Sequence, residues 1–530
     1  MSQTPKKQNF LQGAALLALA TAVVKVIGAL YKIPLNAIIG TQGFSYFYTA
    51  YEIYNVLLLI STAGLPVAVS RMISAASSEG NYNQVRRIHH TARIIFLTLG
   101  LVSSLLMTGF CRQLAEFQEQ PDAWFSIMCL GPCAFMVCLM STYRGFFQGQ
   151  GNMIPTSVSQ VLEAAIKLVV GIILAIVLLK LMDSAAYAAG GAILGVTASC
   201  LISSLYLNIV FRKDYHNLPQ SQDAVTSYGS TAKTLLAIAV PITIGSAGLQ
   251  LLTVLEAKVY MSQLLTTGMS QAQADNVKGV YNMMQTIYNM PCSFITPITI
   301  SIIPAITAHL TMNSNRAVKE TEESAARITS LIALPCSVGL AVLAQPITAL
   351  LGGYTGENLT LSTQLMTLMG ISISLHAVVL VTSAMLQAHN HAVLPVVNML
   401  LSGVIRLVVV FILTGNPEIG MLGVPVGSIL CNLCIMVLNL AAMARHIPQK
   451  PAMLPNLLRP LLPALVMGAC AWGAWAGLKL VTDSRLILCA LPILVGVVVY
   501  FLMVIKCKSI TREDCLLLPK GEKIAKLFHL

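Results

Sequence analysis

Lys25 and Lys32 stand seven residues apart in a stretch that is otherwise apolar, aromatic or uncharged, KVIGALYKIPLNAIIGTQGFSYFYTAYEIYN, and Glu52 follows in the same stretch. Seven residues are about two helical turns, so on one helix both ammoniums share a face roughly 10 Å apart. A charge at the depth of lipid tails costs about 2.5–3.5 kcal/mol on insertion scales, so such side chains turn toward protein or water and mark a functional site by default. Two cations stacked along one wall suit an anion with more than one charge. Lys32 and Glu52 fall in the outer thirds of neighbouring spans, which places Glu52 to pair with Lys32 when that anion is absent. Glu163 and Lys167, spaced i,i+4, share a face farther along. They read either as an ion pair that lowers its own insertion cost or as a second wall of the cationic site. Glu256 and Lys258 lie two apart and so on different faces; they read as packed structural charges. Arg406 is a further charge within an apolar span, structural or functional.

The elements that must position these charges are membrane helices. Of 530 residues, 56% are hydrophobic and only 10% charged, against about 25% charged in soluble domains, and mean hydropathy is +0.77. Fourteen stretches approach or exceed the length of apolar chain that spans a bilayer: 10–38, 46–70, 94–111, 123–143, 155–180, 185–211, 234–263, 279–308, 328–350, 361–387, 392–414, 420–443, 460–481 and 485–505. The first lacks a short apolar core and a small-residue cleavage site, so it reads as a retained helix, and Pro34 predicts a bend near its outer end.

The net charge of +12 could point to nucleic acid, but its distribution excludes that reading. Lys6, Lys7, Arg71, Arg86, Arg87, Arg93, Arg144, Arg212, Lys213, Lys233, Arg316, Lys319, Arg327, Arg445, Lys450, Arg459 and the tail from Lys506 to Lys526 fall on alternate connections. The opposite connections carry only Arg112, Lys180, Lys278, Lys479 and Arg485. This asymmetry puts the rich side, with both termini, in the cytoplasm.

Connections add detail. The stretch 74–93 is polar and basic and is expected to form a surface helix. Gly145, Gly149 and Gly151 suit a tight turn, and Pro155 suits the first turn of the next helix. The glycine pattern is not a phosphate loop, since no strand precedes it and no Gly-Lys-Ser/Thr follows. The linker RKDYHNLPQSQDAVTSYGSTAK divides the chain near residue 225, and the second half repeats the first: a charged span, an outer turn, then a helix with prolines near its cytoplasmic end. The expected domains are an N-terminal lobe, 1–225, a C-terminal lobe, 226–450, and a pair of added helices with a tail, 451–530. Two six-helix halves in the same orientation are a transporter plan. The added pair, with Trp472 and Trp475, offers either a groove for a lipid tail or a face toward bilayer.

No enzyme constellation is present. Thirteen cysteines lie mostly in apolar spans, and the Cys431–Cys434 pair has no second cluster beside it, so these read as packing residues rather than metal ligands. Nine histidines form no metal pattern; His89, His90, His389 and His391 read as solvated surface residues and His376 as a hydrogen-bonded packing histidine. No cofactor and no metal is expected.

With these residues in view, the chain resembles the multidrug/oligosaccharidyl-lipid/polysaccharide exporter superfamily, in its polysaccharide branch. Within that branch it is most similar to the stage V sporulation protein B and MurJ-type lipid II flippases. The resemblance rests on K-x-x-G at Lys25–Gly28, IPLNAIIGTQGFSYFYTAYEIYN, STAGLPVAVSRMIS, YRGFFQGQGNMIPTSVSQVLE and the tail SITREDCLLLPKGEKIAKLF. It implies an all-α integral membrane fold: fourteen transmembrane helices, two six-helix lobes in a V around a central cavity, and two extra C-terminal helices. It implies alternating access to an undecaprenyl-diphosphate-linked saccharide and no enzymatic chemistry. Lys25 stands at a commonly basic family position. Lys32 or its neighbour Tyr31 takes the second, and Arg71 matches the basic residue after GLPVAVS. Where many relatives have Asp, this chain has Glu256. The expected ligand contacts are therefore Lys25, Lys32, Arg71 and Lys167, with Glu52, Glu163 and Arg406 in the same site. Partners would be the lipid-linked glycan, membrane lipids and cell-wall synthesis proteins. The alternatives are a cation-coupled drug exporter, which would need an acidic cavity, an intramembrane glycan polymerase or ligase, and a non-transporting scaffold for wall or spore assembly.

Overall fold

Gly40 decides how the chain enters its fold. In the computed structural model, which describes residues 10–62, 64–219, 224–312 and 314–511, helix α1 (Phe10–Thr62) contains one non-helical residue, Gly40, at φ 70° and ψ 177°. That backbone region is open to glycine and essentially closed to other residues. The single break reverses the chain. Lys32 Nζ meets Tyr48 Oη at 2.7 Å, whereas sixteen residues of unbroken helix would hold them about 24 Å apart. Helix α1 is thus a hairpin of two passes, and the expected outer turn is one residue.

The second pass ends at Thr62 rather than running to 70. Pro66 lies in the first turn of a new helix, α2 (Leu65–Ser78), where a missing backbone N–H does no harm. A left-handed Gly80 (φ 76°) and Asn81, whose side chain accepts from Gln84 N, then start α3 (Tyr82–Gly109). The surface helix expected over 74–93 is therefore not a separate element. Val85, Ile88, Ala92 and Phe96 are all buried at helical spacing with no breaker between them, so the basic segment forms the first turns of one long helix.

Short α4 (Cys111–Phe117) leads to α5 (Trp124–Gly149), α6 (Ile154–Met182) and α7 (Ala185–His216). Of the three glycines expected to make the α5–α6 turn, only Gly151 is left-handed (φ 74°). Gly145 and Gly149 instead let α2 approach α5. A Cβ on Gly145 would fall 3.1 Å from Val69 Cγ1, and one on Gly149 2.7 Å from Ile73 Cβ. Pro155 opens α6 as expected. Helix α8 (Tyr228–Thr266) and the first turns of α9 (Gln271–Thr311) complete a first compact unit that ends at Gly279.

The second unit begins at Val280 and holds the rest of α9, then α10 (Asn315–Val342), α11 (Ala344–Leu351), α12 (Gly356–Ala388), α13 (Val393–Thr414), α14 (Gly423–His446), α15 (Met453–Leu458), α16 (Leu461–Leu478) and α17 (Arg485–Lys506). One core gathers Ile306, Val318, Ala326, Met385 and Met443. Inside it Asn439 donates to Thr382 and Ser383, and its Oδ1 accepts from Asn398. Leu401, Val404, Val408 and Phe411 of α13 stay exposed, as a lipid-facing helix requires.

Among the described residues eleven helical runs are long and apolar enough to cross a bilayer. The first is the Gly40 hairpin, two passes in one run. Helices α8 and α9, at 39 and 41 residues, add the length of two more, in keeping with the fourteen expected. No strand occurs among the described residues. Lys6, Lys7 and the tail from residue 512 lie outside them.

Candidate functional site

Helix α6 presents Ser159, Glu163, Lys167 and Gly171 along one i,i+4 ridge. Gly171 lets Tyr31 of the α1 hairpin come close: a Cβ there would lie 2.8 Å from Tyr31 Oη, which donates to Ala192 O at 3.1 Å. The buried Tyr31 ring is thereby fixed, and Lys167 Nζ lies 5.9 Å from its centroid. Lys32, across the Gly40 break, donates to Tyr48 Oη and sits 4.5 Å from the Tyr48 ring centroid. Lys167 feels the charge of Glu163 first and that of Lys32 second, although it forms no ion pair with Glu163. Phe44, Phe47, Tyr48, Tyr51 and Tyr54 form a continuous aromatic ladder behind them, with neighbouring centroids 4.9–6.1 Å apart. Both cations therefore rest on neutral aromatic rings, which attract them through π-faces without cancelling their charge.

The carboxylates of the region have other partners. Glu163 does not pair with Lys167. Its Oε2 accepts from Arg144 of α5 at 3.0 Å, and Arg144 Nε also donates to Ser159 Oγ at 3.1 Å. Nor does Glu52 pair with Lys32. Its Oε2 lies 3.2 Å from Lys278 Nζ, whose side chain is wholly buried at the start of α9. The same ammonium donates to Thr49 Oγ1 (2.7 Å) and Gln120 Oε1 (3.1 Å), so its three protons have three acceptors. Around it Asp275 accepts from Gln120 (2.7 Å), Tyr46 (2.9 Å) and Gln271 (3.1 Å). This network sews the first turns of α9 to the second pass of α1 and to the α4–α5 connection. Arg144 and Lys278, which read in sequence as loop charges, are the partners of the two acids.

Of the remaining expected site residues, Lys25 on the first pass and Arg71 on α2 are exposed, and neither makes a hydrogen bond or ion pair among the described residues. Arg406 is half-buried in the second unit on α13, packed near Gly427 of α14. Lys25, Lys32, Glu52, Arg71, Glu163 and Lys167 thus belong to the first unit and Arg406 to the second. Glu256 is buried, and Lys258 Nζ lies 4.1 Å from the Phe117 ring centroid. His376 bonds to Asn432. His89 is a correction: it is buried, against Phe211 at a centroid distance of 4.4 Å, because it lies on the inward face of α3. His389 is another, since its Nε2 lies 2.9 Å from the buried Glu322 Oε1. Among the described residues no group of His, Cys, Asp and Glu could hold a metal. In the second unit an apolar cleft of about 420 Å³ is lined by Met290, Phe294, Leu340, Leu351, Cys489 and Ile493, from α9, α10, α11 and α17.

Lys278 escaped sequence reasoning because it stands one residue before an apolar run and counts there as a loop charge. Its spacing from Asp275, i,i+3 on what proves to be one helix, was the available signal.

Comparison with known proteins agrees with this fold. Residues 10–309 match the polysaccharide biosynthesis protein family. Stage V sporulation protein B of Bacillus subtilis (strain 168) is 25% identical over 448 residues, 83% of this chain and 85% of that one. Lipid II flippase MurJ of the same organism is 23% identical over 415 residues, 76% of each. Among solved structures, lipid II flippase MurJ in an inward closed conformation superposes with a TM-score of 0.68 at 13% identity, covering 92% of this chain and 97% of that one. An inward-facing multidrug resistance MATE family transporter of the MOP superfamily gives 0.61 at 16% identity, covering 80% and 98%. The chain is a multi-span membrane protein that belongs to the polysaccharide biosynthesis protein family and carries the fold of MOP-superfamily transporters.

Proposed function

We propose that this chain is a flippase of the cytoplasmic membrane that moves an undecaprenyl-diphosphate-linked saccharide, the peptidoglycan precursor lipid II, from inner to outer leaflet by alternating access. The observation that carries the reading is that Lys32 and Lys167 rest on Tyr48 and Tyr31 while the neighbouring acids Glu52 and Glu163 are bound elsewhere. A wall whose two lysines have no direct ion pair among the described residues suits a diphosphate. Lys25 and Arg71 extend it as exposed cations, each making a moderate contact, so that the ligand can leave as well as bind. Both termini lie in the cytoplasm, with cell-wall synthesis enzymes supplying and consuming the lipid. The membrane potential, at about 2.3 kcal/mol per charge per 100 mV, is large enough to bias such a cycle.

Support comes from family membership and from the relatives named lipid II flippase and stage V sporulation protein. A drug exporter for cationic substrates would need net negative charge where this unit has Lys32 and Lys167. The test is complementation of a strain depleted of its lipid II flippase, with the chain intact or as Lys25→Ala. Growth and outer-leaflet precursor with the intact chain, and loss of both with well-expressed Lys25→Ala, support the reading. No growth with the intact, membrane-inserted chain removes lipid II as the cargo, and full function of Lys25→Ala removes Lys25 from the site.

A further inference from the structure

The strongest remaining relationship is that between Arg144 and its surroundings on the α6 ridge. Ser159, Glu163 and Lys167 succeed one another at intervals of four on that ridge, so the carboxylate has a cation available on its own helix, one turn on. The arrangement Glu at i with Lys at i+4 is the favourable orientation for an intrahelical pair. The pair does not form. Arg144 reaches across from α5, is steadied by Ser159 Oγ at 3.1 Å, and takes the Glu163 carboxylate at 3.0 Å. Ser159 Oγ is itself held by Thr156 O at 2.7 Å. The guanidinium thus engages the Glu163 carboxylate from the side of the earlier turn, and Lys167, though near enough to feel its charge, forms no ion pair with it. Lys167 is left with the Tyr31 ring at 5.9 Å and no ion pair among the described residues.

We propose that Arg144 is a positioning residue that sets the charge of this site: by holding Glu163 it keeps the Lys167 ammonium free to bind the phosphate of an anionic lipid. This deepens the flippase reading and rests on it. Arg144 touches no ligand. Its guanidinium occupies the one carboxylate that shares the α6 ridge with Lys167. Without Arg144, Glu163 swings one turn along α6, closes on Lys167 and turns a cationic wall into a neutral one. The device needs an arginine, because a planar guanidinium can hold Ser159 and Glu163 together through separate N–H groups.

The test is equilibrium binding of undecaprenyl diphosphate to the full chain in nanodiscs, for the wild type, Lys167→Gln, Arg144→Gln, Glu163→Gln and the double variants Arg144→Gln/Glu163→Gln and Arg144→Gln/Lys167→Gln. Arg144→Gln is expected to weaken binding by roughly tenfold, the middle of the range for charges coupled at contact distance. Lys167→Gln is expected to weaken it similarly in the wild-type background and to add almost nothing in the Arg144→Gln background. Glu163→Gln should tighten binding, and the Arg144→Gln/Glu163→Gln variant should recover most of what Arg144→Gln loses. That recovery is the signature of positioning, since a bridge needed only to hold α5 on α6 is not repaired by removing its second half. An Arg144→Gln/Glu163→Gln variant as weak as Arg144→Gln overturns the assignment while Lys167-dependent binding leaves the flippase reading standing. No binding by the wild type overturns both. Should Arg144→Gln fail to fold, Glu163→Gln decides alone: tighter binding supports the proposal and weaker binding overturns it.

Discussion

Lys278 Nζ lies 3.2 Å from Glu52 Oε2 with no part of the lysine side chain exposed, although 226 residues separate the two in sequence. The pair closes the first unit: it fixes the start of α9 to the second pass of α1 through an ammonium whose three donors are all used. Removing one partner strands the other in a dry site, a change that typically costs about 3–5 kcal/mol, whereas replacing both by apolar residues is often neutral. Lys278→Ala should therefore lower the thermal midpoint of the detergent-solubilised protein sharply, and Lys278→Met/Glu52→Leu should regain most of it. Equal loss in single and double variants would contradict this. The charge swap Lys32→Glu/Glu52→Lys should be no better than either single change, since Lys32 holds Tyr48 and not Glu52.

Tyr48 presents both a hydroxyl and a ring to Lys32. Tyr48→Phe keeps the ring and removes the acceptor, and a hydrogen bond of this kind contributes about 0.5–1.5 kcal/mol, so transport should fall roughly two- to tenfold. Tyr48→Leu, which removes both, should fall further. Transport rates of equally expressed variants check the order, and Tyr48→Leu matching the wild type would show that the ring does not support Lys32.

Gly149 and Gly151 at the end of α5 and Gly109 at the end of α3 separate by mechanism. Gly149→Val drives side-chain atoms into Ile73, 2.7 Å from the ideal Cβ, and overpacking of this kind costs about 1–3 kcal/mol. Gly151→Ala strains a left-handed turn (φ 74°) by about 1–2 kcal/mol. Gly109→Ala meets nothing within 4 Å and should change little. Thermal midpoints of the three variants should follow that order, with Gly109→Ala indistinguishable from wild type.

His89 is buried among Phe211, Phe146 and Tyr143 at centroid distances of 4.4, 5.6 and 6.2 Å, and neither ring nitrogen has a partner among the described residues. A buried polar group left unpaired costs about 1–3 kcal/mol. His89→Phe, which keeps an aromatic ring in place and removes the polar atoms, should raise the thermal midpoint. A lowered midpoint would mean that the imidazole engages in bonding these contacts lack.

Much of this arrangement is legible in the sequence. Uninterrupted apolar stretches mark the passes, and the glycine of IIGTQG marks the reversal that brings Lys32 onto Tyr48, because only glycine takes the backbone found at Gly40. Apolar continuity carried the expected second span past Thr62, and the polar, basic composition of 74–93 set the first turns of α3 apart from the rest of that helix. The pairing of charges was not legible. A helix face can be read from spacing, but Glu163 had Lys167 on its own helix and Arg144 on another, and Glu52 had Lys32 close in sequence and Lys278 far away. In each case the partner came from another helix, and its choice depends on packing that no local pattern encodes. His89 followed the same rule, since its neighbours Val85, Ile88 and Ala92 point inward and carry it with them.

Purified protein in sealed vesicles, loaded with lipid II fluorescently labelled on its saccharide and assayed for headgroup exposure in the opposite leaflet, measures the central claim most directly. Protein-dependent transfer of chemically unchanged lipid, abolished or strongly slowed by Lys25→Ala and by Lys167→Gln, is the expected result. Vesicles containing correctly folded protein that show no transfer above protein-free controls, or transfer indifferent to both lysines, would contradict it.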